Sequence, residues 1–202
     1  MKDDELFLRV NGETELIKSL EKTYQFIQEE GNDIYSWKWI IIGLHNAVQN
    51  CMVFALRGSS TISILRNDSK RNWLNWYNNE ARYPETLMMN NFSNLFEGIK
   101  SNNMTLYKDS KSFISNNEID ESMKLLNTYR NNFIHFIPQN WVLILSCMPK
   151  ICIDVLSVIN FLINESTNIN SYNKIHIDEC RKIVDKIITK LEELRRKYSS
   201  IN

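Results

Sequence analysis

Apolar residues return along most of this chain with the period of an α-helix. Across residues 13–30, Leu16, Leu20, Tyr24 and Ile27 share one face, and Gly31 follows where a left-handed C-cap is expected. Asp33 can cap a second helix running to about Leu56, which Gly58, Ser59 and Ser60 stop. That helix is apolar almost all round. Trp37, Ile41, Leu44, Val48, Cys51 and Ala55 form one stripe, with Trp39, Ile40, Ala47 and Phe54 on others. A helix greasy on every side belongs at the centre of a bundle. Residues 61–83 are the least regular stretch. Pro84 suits the first turn of a helix reaching about Ile99, and residues 102–115 read as a connector.

The next helix, residues 117–135, is closed by Pro138 and carries the most informative pattern. Ile119, Met123, Leu126, Arg130, Phe133 and Ile137 recur at alternating steps of four and three, the spacing of a buried seam. Arg130 stands where a leucine would be expected. A guanidinium cannot shed its charge, so burial obliges it to find an anion or an acceptor, or to stay half-wet in a cleft. Asn131 lies four residues before His135, which stacks those two side chains beside the arginine. Beyond Pro138, residues 141–146 are an apolar run compatible with an extended segment. Pro149 opens another helix with Ile151, Val155, Val158, Ile159 and Leu162 buried. A polar loop (167–173) leads to a last helix, 177–198, burying Ile183, Ile187 and Leu191 under a charged face.

The pattern predicts an all-α, up-and-down helical bundle, one domain over residues 1–202, with a basic and aromatic insertion after the second helix. Only 5 Gly and 3 Pro agree with it, since turn-rich β folds need more. Lys+Arg and Asp+Glu balance at 24 each, so no global field marks a partner for DNA or membrane, and any nucleic-acid contact must come from a local patch. The apolar run 39–44 is followed by His45, Asn46, Gln49 and Asn50, too polar for a membrane span. Cys51, Cys147, Cys152 and Cys180 have no metal-ligand spacing, and the chain opens on an acidic stretch with no secretory signal. A cytoplasmic protein with free thiols, no metal and no cofactor is the expectation. The cysteines and the Met88–Met89 pair read as core.

Arg130, Asn131 and His135, at the end of a bundle helix, resemble the Arg-x4-6-His motif of the HEPN superfamily. The resemblance extends to residues 37–49, similar to the second helix of some plasmid- and phage-borne HEPN proteins, and to residues 136–141. It implies a bundle that dimerises and brings two Arg/His pairs into one cleft. In active members that cleft is a metal-independent ribonuclease, often the effector of a toxin–antitoxin or phage-defence system. Arg130 and His135 then carry over as the catalytic pair and Asn131 as the polar residue after the arginine. RNA, a second copy of the chain and a cognate antitoxin are the implied partners, with no DNA. In one subfamily a tyrosine two residues after the histidine is modified by an antitoxin nucleotidyltransferase. Ile137 stands there instead, which argues against that control.

The chemistry is reasonable on its own terms. RNA carries its nucleophile in the 2′-OH, so an enzyme need only move a proton and stabilise the crowded phosphorane. An imidazole titrating near neutrality suits the first task and a guanidinium the second. Each residue also has a plainer reading. Arg130 can be a structural ion-pair anchor, and His135 a helix-terminal histidine favoured by the macrodipole. His45 and Gln49 share a face of the second helix, where a satisfied core histidine competes with a residue lining the cleft. Arg66, Lys70, Arg71, Trp73 and Trp76 can stack and neutralise single-stranded RNA, or tack the insertion onto the bundle. Two alternatives to a ribonuclease stay open: a catalytically silent HEPN module that binds nucleotides or RNA, and a structural dimerisation protein in a defence complex.

Overall fold

Asparagine side chains start three of the helices. Asn11, Asn91 and Asn116 each accept at Oδ1 from the backbone N–H three residues on, at 2.9, 2.8 and 2.9 Å, satisfying a donor that a helix start leaves free. The computed structural model of the chain describes residues 6–8, 10–58, 61–104, 108–135, 138, 140–169 and 174–200. Among these lie seven α-helices: α1 (Gly12–Glu29), α2 (Ser36–Arg57), α3 (Asn67–Tyr77), α4 (Phe92–Lys100), α5 (Asn117–Ile134), α6 (Met148–Asn164) and α7 (Lys174–Ser199). Short 3₁₀ turns occupy Thr61–Ile64, Asn102–Met104 and Leu145–Cys147. The fold is an all-α helical bundle. Ser59, Ser60, Phe136, Ile137, Gln139 and residues 170–173, which entered the sequence argument, lie outside the described residues.

Helix α2 is the axis of the bundle and packs against α1, α4, α5 and α6, while α7 closes across α1 and α6. Its apolar girth explains this: Trp37, Ile40, Ile41, Leu44, Ala47, Val48, Cys51 and Met52 are all sealed from solvent. Truncating one of them, such as Leu44→Ala, should cost about 2–5 kcal/mol because so closed a site relaxes little. Gly43 lets α1 approach. A Cβ there would fall 2.5 Å from Thr23 Oγ1, whose hydroxyl donates to the Ser19 carbonyl at 2.7 Å. At the far end, Trp37 Nε1–H donates to the Tyr198 hydroxyl at 2.9 Å, and that hydroxyl donates to the buried Glu30 carboxylate, pinning α7 to the α1–α2 turn.

Two helices, Ser36–Arg57 and the stretch Leu145–Asn164, are long and apolar enough to cross a membrane by length and composition. In the bundle most of each is packed against other helices.

Several expectations change. Gly31 does not adopt a left-handed conformation; Glu30 caps α1 in the right-handed region, and the glycine with positive φ (53°) is Gly58, after α2. Asp33 shapes the turn before α2, accepting from Tyr35 N–H at 2.9 Å, but Tyr35 holds the N-cap position. The helix expected from Pro84 begins only at Phe92. The preceding residues run beside 64–66, with Arg66 N–H donating to Met88 O at 2.9 Å and Asn90 N–H to Ile64 O at 2.8 Å. That pairing leaves Met88 and Met89 exposed, not in the core. Cys147 is exposed too, whereas Cys180, on the charged last helix, is buried. The buried face of α7 runs through Ile177, Cys180, Val184, Ile187, Leu191 and Leu194, so Ile183 is only half-buried. Residues 141–144 form no paired strand.

Candidate functional site

The C-terminal half of α5 loses its cover as it proceeds. Met123 and Leu126 are sealed, Arg130 and Phe133 are half-buried, and Ile134 and His135 are exposed. The seam therefore opens toward solvent where the arginine stands. Arg130 Nη1 donates to its neighbour Asn131 Oδ1 at 3.0 Å. No carboxylate forms an ion pair with it among the described residues, and its Nε, buried, has no hydrogen-bond partner there. The structural ion-pair reading of Arg130 thus lacks its anion among those residues.

Across the α2–α5 contact stands His45, almost wholly buried, its ring stacked on Phe92 of α4 with centroids 4.3 Å apart. Its Nε2–H donates to Asn127 Oδ1 at 3.1 Å. Asn127 lies one helical turn before Arg130, and Asn131 one turn after Asn127, so three polar side chains of α5 gather on the face that meets His45. Burial pushes the His45 pKa down to about 4; the Asn127 bond pulls it up, and the Arg130 charge pushes it further down. The ring is therefore a neutral imidazole at physiological pH, and Nδ1 is left as a buried lone pair without a partner among the described residues.

The structure so brings together His45, Asn127, Arg130 and Asn131. His135 stands apart from them. It is the C-cap of α5, its N–H donating to Asn131 O at 2.8 Å, and its exposed side chain makes no hydrogen bond or ion pair among the described residues. Gln49 lines a different groove, of about 360 Å³, with Glu15, Asn46, Asn50 and Arg57. Asn127 and Phe92 escaped sequence reasoning. Asn127 carried a usable signal, its spacing of three and four from Arg130 and Asn131. Phe92 carried none, because its role depends on how α4 packs.

Beside this helix end a second groove, of about 320 Å³, lies between the start of α2 and the segment leading to α6. Tyr35, Lys38, Asn132, Phe133 and Trp141 line it. Trp141 stacks on Tyr129 (6.3 Å, 10° between planes) and meets Phe133 edge-on at 4.8 Å. Residues 141–145 alternate: Trp141, Leu143 and Leu145 are half-buried, while Val142 and Ile144 are 86% and 65% exposed.

The insertion is a unit of its own. Helix α3 packs on the 3₁₀ turn Thr61–Ile64. Its aromatics hold one another: Trp73 stacks on Tyr77 at 5.2 Å and meets Trp76 at 5.8 Å, and Trp76 meets Tyr83 edge-on at 5.0 Å. Among the described residues these rings meet one another; the 64–66 and 88–90 pairing ties the two ends of the insertion together, and the 3₁₀ turn packs on α2, with the Ser63 hydroxyl donating to Leu56 O at 2.5 Å. Arg66 is engaged by Asp68 at 3.2 Å, whereas Lys70 and Arg71 are exposed and make no ion pair among the described residues.

Among the described residues no three His, Cys, Asp or Glu side chains are grouped so as to hold a metal ion. Comparison of the chain with protein-family models, with curated proteins and with solved structures finds no match.

Proposed function

We propose that the protein is a metal-independent endoribonuclease of the HEPN type, a cytoplasmic homodimer serving as a toxin–antitoxin or phage-defence effector. The observation that carries this reading is Arg130: a half-buried, permanent cation with no carboxylate partner among the described residues. An under-compensated guanidinium at the mouth of a helix seam is a receptor for a phosphodiester, whose oxygens it matches bidentately. The aromatic-lined groove beside it offers a surface on which a base can stack, with Lys38 for a neighbouring phosphate.

The reaction needs a base to take the 2′-OH proton, in-line attack of that oxygen on the adjacent phosphorus, and an acid to protonate the departing 5′-oxygen. His135 is the group proposed for proton transfer, and Arg130 for the charge that builds on the phosphorane. One chain supplies one exposed histidine at this helix end. A second copy would supply the other half of an acid–base pair, and the exposed Ile34, Ile134, Val142 and Ile144 at the same end offer apolar surface for an isologous contact.

One observation favours a second reading, a silent nucleotide-binding module on the same site: no group in the single chain orients His135 among the described residues. Incubating the purified protein with RNA in EDTA separates the two. The ribonuclease leaves 2′,3′-cyclic phosphate and 5′-OH ends and spares RNA methylated at every 2′-oxygen. Cleavage of the methylated RNA would refute the mechanism. Arg130-dependent retention of uncut RNA would favour the silent module.

A further inference from the structure

Two atoms at the α2–α5 contact, His45 Nδ1 and Arg130 Nε, are buried without hydrogen-bond partners among the described residues. They are opposite in kind. Because His45 Nε2–H is given to Asn127 Oδ1, the neutral ring keeps its lone pair on Nδ1, which can only accept. Arg130 Nε–H can only donate. Asn127, which holds the ring, and Arg130 sit on successive turns of one face of α5, and the arginine's charge is felt at the imidazole. A buried donor and a buried acceptor left open on facing helices are the partners an internal water joins.

We propose that His45 is the positioning residue for Arg130: its Nδ1 accepts, through one bound water, the hydrogen bond that Arg130 Nε–H offers, and so fixes the guanidinium with the outer N–H groups that Asn131 does not take left for a phosphodiester. The parts suit this role. Phe92 clamps the ring by stacking, Asn127 sets its tautomer, and Asn131 holds one outer nitrogen at 3.0 Å. A protonated ring would repel the arginine and offer no acceptor, so the buried, neutral state is the useful one. The consequence for catalysis rests on the reading of Arg130 as the phosphate-binding group; the hydrogen-bonded link itself does not.

The test is nitrogen NMR on the full-length labelled chain, whose three histidine rings are assigned with His135→Ala and His176→Gln, and the Arg130 Nε–H signal by its loss in Arg130→Met. His45 should be protonated on Nε2, with an Nδ1 shift displaced toward the hydrogen-bonded value and a slowly exchanging Arg130 Nε–H. In His45→Phe, which keeps the stack but removes both nitrogens, that Nε–H signal should be lost to solvent exchange. His45→Gln can keep the bond to Asn127 without an acceptor at the Nδ1 position, and should lose the signal too; it serves if the phenylalanine variant fails to fold. A proton on Nδ1 of wild-type His45 overturns the proposal, as does an unchanged Arg130 Nε–H in either variant. On an oligoribonucleotide, either variant should lower kcat/KM about 10- to 100-fold through misplacement of the arginine, with no further loss when combined with Arg130→Met. A wild-type chain that cuts no RNA would remove the ribonuclease reading and leave the nitrogen spectra to decide the positioning role.

Discussion

The two halves of α5 solve the same problem in opposite ways. In the N-terminal half, polar side chains at the helix start and its flanks are answered. Asn116 caps the start, Ser115 donates to Asp120 at 2.6 Å, and Lys100 reaches Asp120 at 3.3 Å. Lys150 bridges Glu118 and Asp154, both at 2.8 Å, and Asp154 accepts from Ser122 at 2.6 Å. Those partners hold the Asp120 carboxyl below its usual range and the Lys150 ammonium above its own, so both stay charged. The C-terminal half carries a cation without an anion among the described residues, meets the α2 imidazole whose lone pair is open there, and ends at an exposed histidine. Local rules are met where the helix is a strut and broken where it faces the opening seam, the pattern expected when stability yields to function.

Arg130→Met gives the largest expected effect. Removing a preorganised charge from a phosphoryl transition state typically costs about 100- to 1000-fold in rate, and RNA cleavage should fall by that much. The fold should not suffer. Exchanging an ion that is poorly compensated for an apolar side chain of similar size is often neutral or stabilising by roughly 1–4 kcal/mol. Thermal denaturation should therefore give an equal or higher Tm. A Tm several degrees lower would mean that Arg130 is a strut like its counterparts in the first half.

His45 gives the next effect, read as stability against pH. Its folded pKa of about 4 lies below the ordinary 6.5, so between those values the unfolded chain binds a proton that the folded one refuses. Stability from this group is complete above about pH 6.5 and is lost as pH falls toward 4, by on the order of 3 kcal/mol in all. Arg130→Met should shrink that loss slightly, since burial is the larger cause and the guanidinium charge the smaller. Denaturant midpoints measured from pH 7 to pH 4 check both, and a flat profile in wild type would place His45 in a wetter setting than the structure gives it.

What could be read in the sequence follows the same division. Helix α2 was legible because an all-round apolar helix has one place to go, and α6 because Pro149 and a clean stripe fix its start and its buried face. Residues 84–91 were misread because Pro84 is as suited to a loop as to a first turn, and a backbone pairing with residues 64–66 decided the matter. Arg130 stood out as a charge in an apolar register. Its partner did not: His45 meets it only because α2 and α5 cross there, and no periodicity within one helix reports a crossing. Asn168 is a similar case, a polar loop residue that is buried and donates to Ala55 O at 2.9 Å and Met104 O at 3.0 Å.

A control in the satisfied half sharpens the comparison. Asp154→Ala takes the acceptor from the buried Ser122 hydroxyl, while Lys150 keeps Glu118. Leaving such a hydroxyl unanswered costs about 1–3 kcal/mol, and the Tm should drop accordingly while RNA cleavage stays at the wild-type level. Cleavage lost along with Tm would show that the two halves do not act separately.

His135→Ala should change stability least of all. The side chain is exposed at the C-cap and bonds nothing among the described residues, so its contribution reduces to the charge of its protonated form against the helix dipole, under about 1 kcal/mol. Salt should screen that part. The small effect makes the variant informative, because a side chain that holds nothing in the fold can be removed without disturbing its neighbours. If cleavage disappears in His135→Ala while its melting curve overlays the wild type, the loss is chemical and the exposed histidine handles the proton. If cleavage survives, proton transfer lies elsewhere, and the Arg130 end of α5 binds RNA without His135 taking part in cutting it.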